Sequence, residues 1–529
     1  MTAAAISLPV NRKSQDEVFR TRYLIAFVVT LASVLELVDT SIVNVAIPHM
    51  MGSLGATLDE IAWVSTGYIV ANVIVLPMTS WLSDRFGRRN YYTGSVILFT
   101  TASFFCGHAS TLTDLVVWRI IQGMGGGALI STAQAILFDV FPIEERGISQ
   151  AIFGMGVMVG PTLGPTLGGW LTDNFSWPWI FYINLPLGLL AAFGTWQMVP
   201  EPRHKVERVN RVDWLGLALL IIGIGCLQIM LERGERHDWW QSREIILEAA
   251  ASGLALIVFV WHELRTEHPV VDLHILKNRQ LAAGVVFGAI LGFALYASVF
   301  ALPVYLQTLL GFSAWNTGLV ILPGALASAA TMAFSARLAQ KIDVRPMITV
   351  GAVLFLIAMW QCAHFTTQTG MPDLLMPMIL RGVGLGLIFV PLTNTTVADL
   401  HPRNIPQGTG LFNLSRQLGG SIGIALVATL ITRFTTQGRT ALVSHVSLSD
   451  PTTQQWLEFV TRRMQMLGGS LGGARLRAEL LLDRVITGQA AMLAYERIFW
   501  MMGLILMGSC AMLFVFRTGR TVGTGGAAH

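Results

Sequence analysis

The sequence predicts an all-α membrane protein with many spans, arranged as two sets of six helices with an inserted pair between them. Of its 529 residues, 53% are hydrophobic and only 12% are charged, whereas a soluble domain carries about 25% charged residues. Apolar stretches of about 20 residues recur along the chain, and each is long enough to cross a bilayer as a helix. Unbroken runs such as 215–231 exclude a β-barrel, whose strands alternate apolar and polar residues.

The order of the spans divides the chain into segments. Apolar runs bounded by charges or by Gly and Pro clusters give about fourteen spans, with about six before residue 200 and about six after residue 280. Two more, near 214–231 and 245–261, form the inserted pair. We therefore predict a cytoplasmic N-terminal segment 1–22, a six-helix bundle 23–200, a linker with two extra helices 201–280, a second six-helix bundle 281–517, and a cytoplasmic tail 518–529.

Lysines and arginines are concentrated in the loops on one side of this predicted bundle. With the N-terminus inside, these loops contain Arg85, Arg88, Arg89, Arg146, Arg203, Lys205, Arg208, Arg211, Arg265, Lys277, Arg279, Arg337, Lys341, Arg345 and Arg403. The opposite short loops have few basic residues apart from Arg233, Arg236 and Arg243. The positive-inside rule therefore predicts that both termini are cytoplasmic and that the number of spans is even. Segment 433–493 is too long for that rule, and we place it outside the cell membrane.

Several classes of function are excluded by what the polar segments contain. The net charge of +4 does not come from basic blocks interleaved with aromatic residues, so nucleic acid is not a predicted partner. The loops have no metal-spaced His/Cys cluster, no nucleophile elbow and no phosphate-binding loop. The four cysteines, Cys106, Cys226, Cys362 and Cys510, all lie in apolar spans and are interpreted as packing residues. We therefore predict neither an enzyme nor an ATP-driven pump, and no metal.

The two halves of the chain resemble each other. Arg119 precedes the sequence Asp-Val-Phe-Pro at 139–142 by about the spacing that separates Arg381 from Asp-Leu-His-Pro at 399–402. The loop 82–89 also has a degraded copy at 338–343. Duplicated halves around a central site are typical of transporters, in which rocking of one half against the other alternates access to the midplane.

Three segments of the first half and two arginines of the second are candidate conformational motifs. In the loop 80–89, Asp84 can cap or bridge to the next helix and Gly87 permits a tight turn, while residues 160–169 carry glycines four apart that allow close helix packing. Arg119 lies within an apolar span and needs a partner. The motif residues are Asp84, Arg85, Gly87, Arg88, Gly160, Pro161, Gly164, Pro165, Gly168, Gly169, Arg381 and Arg416. For the last two we favour a structural role, bonding to carbonyl groups.

Two acids in the first span, Glu36 and Asp39, are candidates for proton coupling and cation recognition. They are three residues apart and share a helix face. Burial disfavours the charged form of an acid and a neighbouring arginine favours it, so movement of Arg119 could switch proton uptake and release. A second interpretation stays open, in which Asp39 only neutralises Arg119 and pins two helices together.

The substrate cavity is expected between the two halves. Its candidate polar and aromatic residues are Tyr68, Asn72, Gln134, Phe287, Tyr296, Gln307, Asn394, Phe412, Asn413 and Gln417, each of which could equally be ordinary packing. An apolar cavity with aromatic faces accepts many hydrophobic shapes, and a carboxylate in it favours cations.

These motifs, together with residues 38–48, 177–186, 303–307 and 413–420, resemble those of the major facilitator superfamily. More narrowly, they are similar to the fourteen-span drug:proton antiporters of the EmrB/QacA type. Ser80 departs from the usual glycine of the loop motif, and Glu36 adds an acid. The resemblance implies the major facilitator fold, location in a bacterial inner membrane, and multidrug efflux of hydrophobic substrates, some of them cationic. It also implies a proton gradient as the energy source, with no cofactor.

The same resemblance implies a tripartite system with an EmrA-like periplasmic adaptor and a TolC-like outer-membrane channel. We assign contact with the adaptor to the periplasmic segment 433–493. Within it, stretches 455–466 and 473–486 are amphipathic, and both a helical hairpin and a disordered loop remain open. A dedicated exporter or importer of one metabolite is the alternative function, because it would share all the conformational motifs.

Overall fold

The computed structural model describes residues 12–200, 213–267, 269–339, 341–446, 450–466 and 471–514, and within these ranges all regular structure is helical. Outside the described residues lie positions 1–11 of the predicted N-terminal segment, the whole predicted tail 518–529, and the basic residues Arg203, Lys205, Arg208 and Arg211.

The first half of the chain forms six rods of helix. Two of these rods are built from two helices each, broken at residues 127–128 and near residue 183. The helices are α1 Arg12–Leu54, α2 Leu58–Phe86, α3 Arg88–His108, α4 Leu112–Gly126 with α5 Leu129–Val140, α6 Arg146–Asn174, and α7 Trp179–Tyr182 with α8 Asn184–Met198. Glycines 156, 160, 164 and 168 of α6 face α1, and a Cβ atom built on Gly164 would lie 1.8 Å from Ser41 Oγ. The small residues therefore allow the close approach that their spacing predicts.

The inserted pair consists of α9 Trp214–Arg233 and α10 Arg243–Glu263, which pack against each other. Ser252 Oγ of α10 donates a hydrogen bond to the carbonyl oxygen of Gly223 in α9 at 2.8 Å. The pair lies on the outside of the bundle, where α9 contacts both α2 and the second half, and it presents large apolar side chains such as Leu247, Leu254 and Ile257.

The second half contains the remaining helices. These are α11 Arg279–Thr308, α12 Ala314–Leu338, α13 Val344–Ala363, α14 Met371–Val397, α15 Ile405–His445, α16 Pro451–Met466 and α17 Leu471–Ser509. Helix α15 has 41 residues, which corresponds to about 60 Å, twice the thickness of the hydrocarbon core. The C-terminal part of α15, which we call its outer part, is paired with the N-terminal, outer part of α17 through Arg439 and Asp483, whose charged atoms are 2.6 Å apart.

Segment 433–493 is helical over residues 433–445, 451–466 and 471–493. It comprises the outer part of α15, the separate helix α16 packed against α17, and the outer part of α17. The interpretation of this segment as a wholly disordered loop is therefore wrong. The amphipathic stretch 455–466 lies in α16 as expected, but the stretch 473–486 is not a separate helix, because it continues without a break into the last long helix. Residues 447–449 and 467–470 lie outside the described residues.

The predicted number of fourteen spans is approached but not confirmed. Among the described residues, twelve helices are long and apolar enough to cross a membrane, and α6, bent by 40° between Pro161 and Leu163, brings the count to thirteen. Helix α3 runs beside α4 and α8 but is less apolar than the helices counted as spans. Its polar side chains bond to neighbouring helices, as when Ser103 Oγ donates to Phe181 O and the Tyr92 hydroxyl donates to Val29 O.

The end of the bundle that carries residues 87 and 141–145, which we call the basic end, is held by ion pairs. Arg88 binds Asp139, and Arg22 binds Glu145 at 3.0 Å. Gly87 has φ of +84° between α2 and α3, as the predicted tight turn requires. Asp84 does not cap α3, which begins without a side-chain cap; it interacts electrostatically with Arg88 and with Arg403 of the second half.

The two halves touch near both ends of the bundle. At the basic end, a Cβ atom on Gly147 of α6 would lie 3.0 Å from the carbonyl oxygen of Ala336 in α12. At the opposite end, a Cβ atom on Gly318 of α12 would lie 2.0 Å from Thr166 Oγ1 in α6. Helices α2 and α5 also pack against α15. The conformation is thus closed at both ends of this seam.

Candidate functional site

A buried ion pair joins the first and fourth rods of the first half. Arg119 Nη1 lies 2.5 Å from Asp39 Oδ2, and both side chains are almost completely buried. Arg119 Nε also donates to the carbonyl oxygen of Val64 at 3.0 Å, and its guanidinium lies 4.1 Å from the centre of the Tyr68 ring. The partner that Arg119 needs in an apolar span is therefore Asp39.

Asp39 is further held by two amide side chains. Gln122 Nε2 and Asn184 Nδ2 each donate to Asp39 Oδ1 at 2.9 Å, and Gln122 also accepts from Arg119. Both amides are fully buried. Sequence reasoning did not select them as site residues, although Gln122 lies three residues after Arg119 on the same helix face and Asn184 is a polar residue in an apolar span. We call Asp39, Arg119, Gln122 and Asn184 the Asp39 cluster.

Glu36 has a different environment one helical turn away. Its Oε1 accepts a hydrogen bond from Asn72 Nδ2 at 2.9 Å, whereas its Oε2 is buried and has no hydrogen-bond partner. A Cβ atom on Gly126 would lie 3.3 Å from Glu36 Cγ, so the small residue makes room for the acid. The two acids share a helix, but only Asp39 has both of its oxygens engaged.

Glu36 interacts electrostatically with Arg416 of the second half. Arg416 is buried, and its Nε and Nη1 have no hydrogen-bond partner, while Nη2 donates to Asn413 Oδ1 at 3.1 Å. Asn413 in turn donates to Gln134 of the first half at 2.5 Å, and Gln134 donates to Gln150 at 3.1 Å. A chain of polar side chains therefore crosses the boundary between the halves. Arg416 here donates to the carbonyl oxygen of an amide side chain.

The other predicted cavity residues are placed unevenly. Tyr68 and Asn72 lie beside the acids, and the Tyr296 hydroxyl donates to Gln417 Oε1 at 3.4 Å. Phe287 and Phe412 are buried on α11 and α15, and Asn394 is half-buried, with its Oδ1 unpaired. Gln307 does not join them: it is exposed in the last turn of α11, because that helix ends at Thr308. We therefore remove Gln307 from the cavity.

Arg381 occupies a separate place in the second half. Its Nη1 donates to Ser298 Oγ at 3.0 Å, and its buried Nε has no partner. The observed acceptor is a hydroxyl group, where we expected carbonyl groups. In the described part of the chain, no group of three or more His, Cys, Asp or Glu side chains is arranged to hold a metal ion.

Comparison with known proteins identifies close relatives over nearly the whole length. The model of the Major Facilitator Superfamily matches residues 29–424. The multidrug export protein EmrB of Escherichia coli (strain K12) is 33% identical over 510 residues, covering 96% of this chain and 98% of that protein. EmrB of Haemophilus influenzae is 32% identical over 487 residues, covering 92% and 94%. The fatty acid resistance protein FarB of Neisseria gonorrhoeae is 33% identical over 470 residues, covering 89% and 91%.

Solved structures with the same arrangement of helices are more distant in sequence. The human organic anion transporter MFSD10 superposes with a TM-score of 0.57 at 16% identity, covering 92% of this chain and 99% of that one. The proton:xylose symporter XylE superposes with a TM-score of 0.57 at 14% identity, covering 94% and 96%. At these identities the likeness concerns the fold alone.

Proposed function

The chain belongs to the Major Facilitator Superfamily and is of the EmrB type, and from this premise we propose that it is a proton-coupled multidrug efflux transporter. It exports hydrophobic small molecules, cations among them, by alternating access. Relatives named for multidrug export and for fatty acid resistance support this substrate class. The observation that carries the coupling is Glu36, a buried carboxyl with one unpaired oxygen beside the second half.

The two acids take different roles in this proposal. Asp39 is fully engaged by Arg119, Gln122 and Asn184, and losing its charge would leave the arginine buried without a counter-ion. Glu36 has one free oxygen and one neutral partner, Asn72, so it can accept or release a proton without dismantling an ion pair. Glu36 is therefore the proton carrier, and Asp39 holds the helices in register.

Alternating access follows from the contacts between the halves. Opening at one end separates contacts such as Gly147 with Ala336, and opening at the other separates Gly318 from Thr166. Either movement shifts Arg416 relative to Glu36, because the two lie on opposite halves. Approach of the arginine favours the charged carboxylate, and its withdrawal favours the protonated acid. The direction of the rocking motion thereby decides whether a proton is taken up or released.

Substrate recognition is assigned to the region around these groups. Tyr296 and Phe412 offer aromatic faces, which accept hydrophobic shapes and attract cations. Tyr68 borders the same region, but its ring already lies against the guanidinium of Arg119. A deprotonated Glu36 attracts a cation and a protonated Glu36 does not. Cation and proton thus compete for one carboxyl, so that binding of one favours release of the other.

The function is tested with everted inner-membrane vesicles that contain the protein. An imposed pH gradient, acid inside, is expected to drive accumulation of the lipophilic cation tetraphenylphosphonium, and collapse of the gradient is expected to release it. The matched control is vesicles without the protein. Equal accumulation with and without a gradient would contradict proton coupling. Transport of a single metabolite, with none of several unrelated hydrophobic probes, would favour the dedicated transporter.

We assign the protein to a bacterial inner membrane, with both termini cytoplasmic and segment 433–493 in the periplasm. The extended outer parts of α15 and α17 and the packed helix α16 then project toward an EmrA-like adaptor that leads to a TolC-like channel. Helix α16 buries Leu457 against its neighbours and exposes Phe459. That outward-facing side fits a contact with a protein partner.

Replacing residues 446–470 by a short Gly-Ser linker is expected to abolish copurification with a coexpressed EmrA-like adaptor. Transport into everted vesicles should remain, because the linker lies outside the spanning helices. Trp240→Ala is the matched control: it removes an exposed aromatic side chain from the α9–α10 loop, which we place on the same side. Unchanged copurification of the linker variant would exclude residues 446–470 as the contact.

A further inference from the structure

Arg381 is the counterpart of Arg119 in the second half. Each arginine lies on the fourth rod of its set of six, and each donates from Nη1 to a side chain on the first rod of that set. In the first half the acceptor is the carboxylate of Asp39. In the second half it is the hydroxyl of Ser298. The repeat has kept the arginine and replaced its counter-ion by a neutral group.

The charge of Arg381 is consequently uncompensated. The side chain is only 6% exposed, and its Nε has no hydrogen-bond partner. Among the described residues, no carboxylate lies within ion-pair distance of it. It lies ten residues after the first residue of α14, about 15 Å along the helix axis and near the middle of the hydrocarbon core. A buried, unpaired guanidinium at that depth is costly and requires an anion.

A cavity lies beside this arginine. Its volume is about 30 Å³, and its wall includes Arg381, Ser328, Tyr296 and Pro161, so both halves contribute to it. Ser328 is 1% exposed, and its hydroxyl has no hydrogen-bond partner. By this measure one water needs about 10–15 Å³, so the cavity matches the two oxygens of a carboxylate. Two unpaired polar groups thus border a space of suitable size.

We propose that this cavity binds the carboxylate of lipophilic acids and so gives the transporter an anion subsite distinct from Glu36. The guanidinium fork suits a carboxylate better than a spherical ion, because it offers parallel N–H groups. The rest of the wall includes Val157, Leu295, Val299 and Leu385, whose apolar side chains suit the methylene groups next to a carboxylate. The inference rests on the proposed function for its substrate class, and it accounts for how a pump with an acid in its centre would accept anions.

The test is calorimetric titration of the purified full-length protein with octanoate as the anionic probe and tetraphenylphosphonium as the cationic one. Arg381→Met is expected to weaken octanoate binding by about tenfold or more, the loss of a charge-assisted hydrogen bond. Arg381→Lys keeps the charge but loses the fork, and should fall between that variant and the wild type. Affinity for tetraphenylphosphonium should fall by a clearly smaller factor.

A second pair of variants tests the proposal even if the arginine variants do not fold. Ser328→Ala should weaken octanoate binding. Ser335→Ala, two turns further along α12 and bonded to the carbonyl oxygens of Met332 and Gly386, should not. Equal octanoate affinity in the wild type, Arg381→Met and Ser328→Ala would overturn the proposal, as would an equal loss for both probes in Arg381→Met.

Acetate identifies what fills the cavity. Competition by acetate shows that the carboxylate alone is bound there. Octanoate binding that depends on Arg381 but resists acetate shows that the apolar tail is also required. Both results support a carboxylate site. The binding titrations use purified protein without a proton gradient. Failure of proton-driven transport would therefore contradict the proposed function and leave these binding results unaffected.

Discussion

Replacing Glu36 by glutamine is expected to abolish proton-driven accumulation of substrate while leaving the protein folded. Glutamine has the shape of a protonated carboxyl and still accepts the hydrogen bond from Asn72, so it introduces no buried charge. It cannot release a proton. With one proton exchanged per cycle and no membrane potential, a pH difference of one unit supports about a tenfold concentration ratio of a neutral substrate. We expect that ratio for the wild type and none for Glu36→Gln, measured at steady state in proteoliposomes.

The matched control for this experiment is Glu263→Gln. Glu263 is also a fully buried acid, but it ends α10 of the inserted pair, where it accepts a hydrogen bond from the backbone nitrogen of Val271. Its variant should accumulate substrate as the wild type does. Wild-type accumulation by Glu36→Gln would assign the coupled proton to another group.

Replacing Arg119 by methionine is expected to lower the free energy of unfolding by about 3–5 kcal/mol, because the Asp39 carboxylate is then buried without its cation. Both members of the pair are at most 1% exposed, so solvent does not screen their interaction. Adding Asp39→Asn to Arg119→Met removes the unpaired charge and should restore part of the loss. The measurement is unfolding in sodium dodecyl sulfate, followed by circular dichroism.

An exposed ion pair of the same protein serves as the control. Arg439 and Asp483 are 2.6 Å apart, close to the 2.5 Å of the buried pair, but their side chains are about half exposed. Arg439→Met should therefore change the free energy of unfolding by less than about 1 kcal/mol. Equal losses in the two single variants would show that burial of the Asp39 pair adds nothing to its contribution.

Features that depend on one helix could be read from the sequence. Apolar runs placed most helices, the glycines of α6 predicted its close packing on α1, and Gly87 marked a tight turn. An arginine in an apolar span required a partner, and Asp39 was a candidate. Helix α3 is harder to recognise as a span, because its serine, threonine and tyrosine residues lower its hydropathy and find their partners only in the folded bundle.

Features that depend on long-range contact could not be read in this way. The bond between Asn413 and Gln134 joins residues 279 positions apart, and no local pattern indicates which amides meet. The contrast between the engaged Asp39 and the half-free Glu36 arises from residues on three other rods. Gln307 looked like a cavity residue only because the end of α11 was not known. The sequence also does not show that Arg381 lacks a counter-ion, because this depends on its contact with Ser298 in place of an acid.

The central claim is that Glu36 carries the exchanged proton and Asp39 does not. It is tested most directly by proton release from purified protein in weakly buffered solution when tetraphenylphosphonium is added. The folded fractions of the wild type and of Asp39→Asn are expected to release protons, and Glu36→Gln is expected to release none. Proton release by Glu36→Gln equal to that of the wild type would contradict the claim.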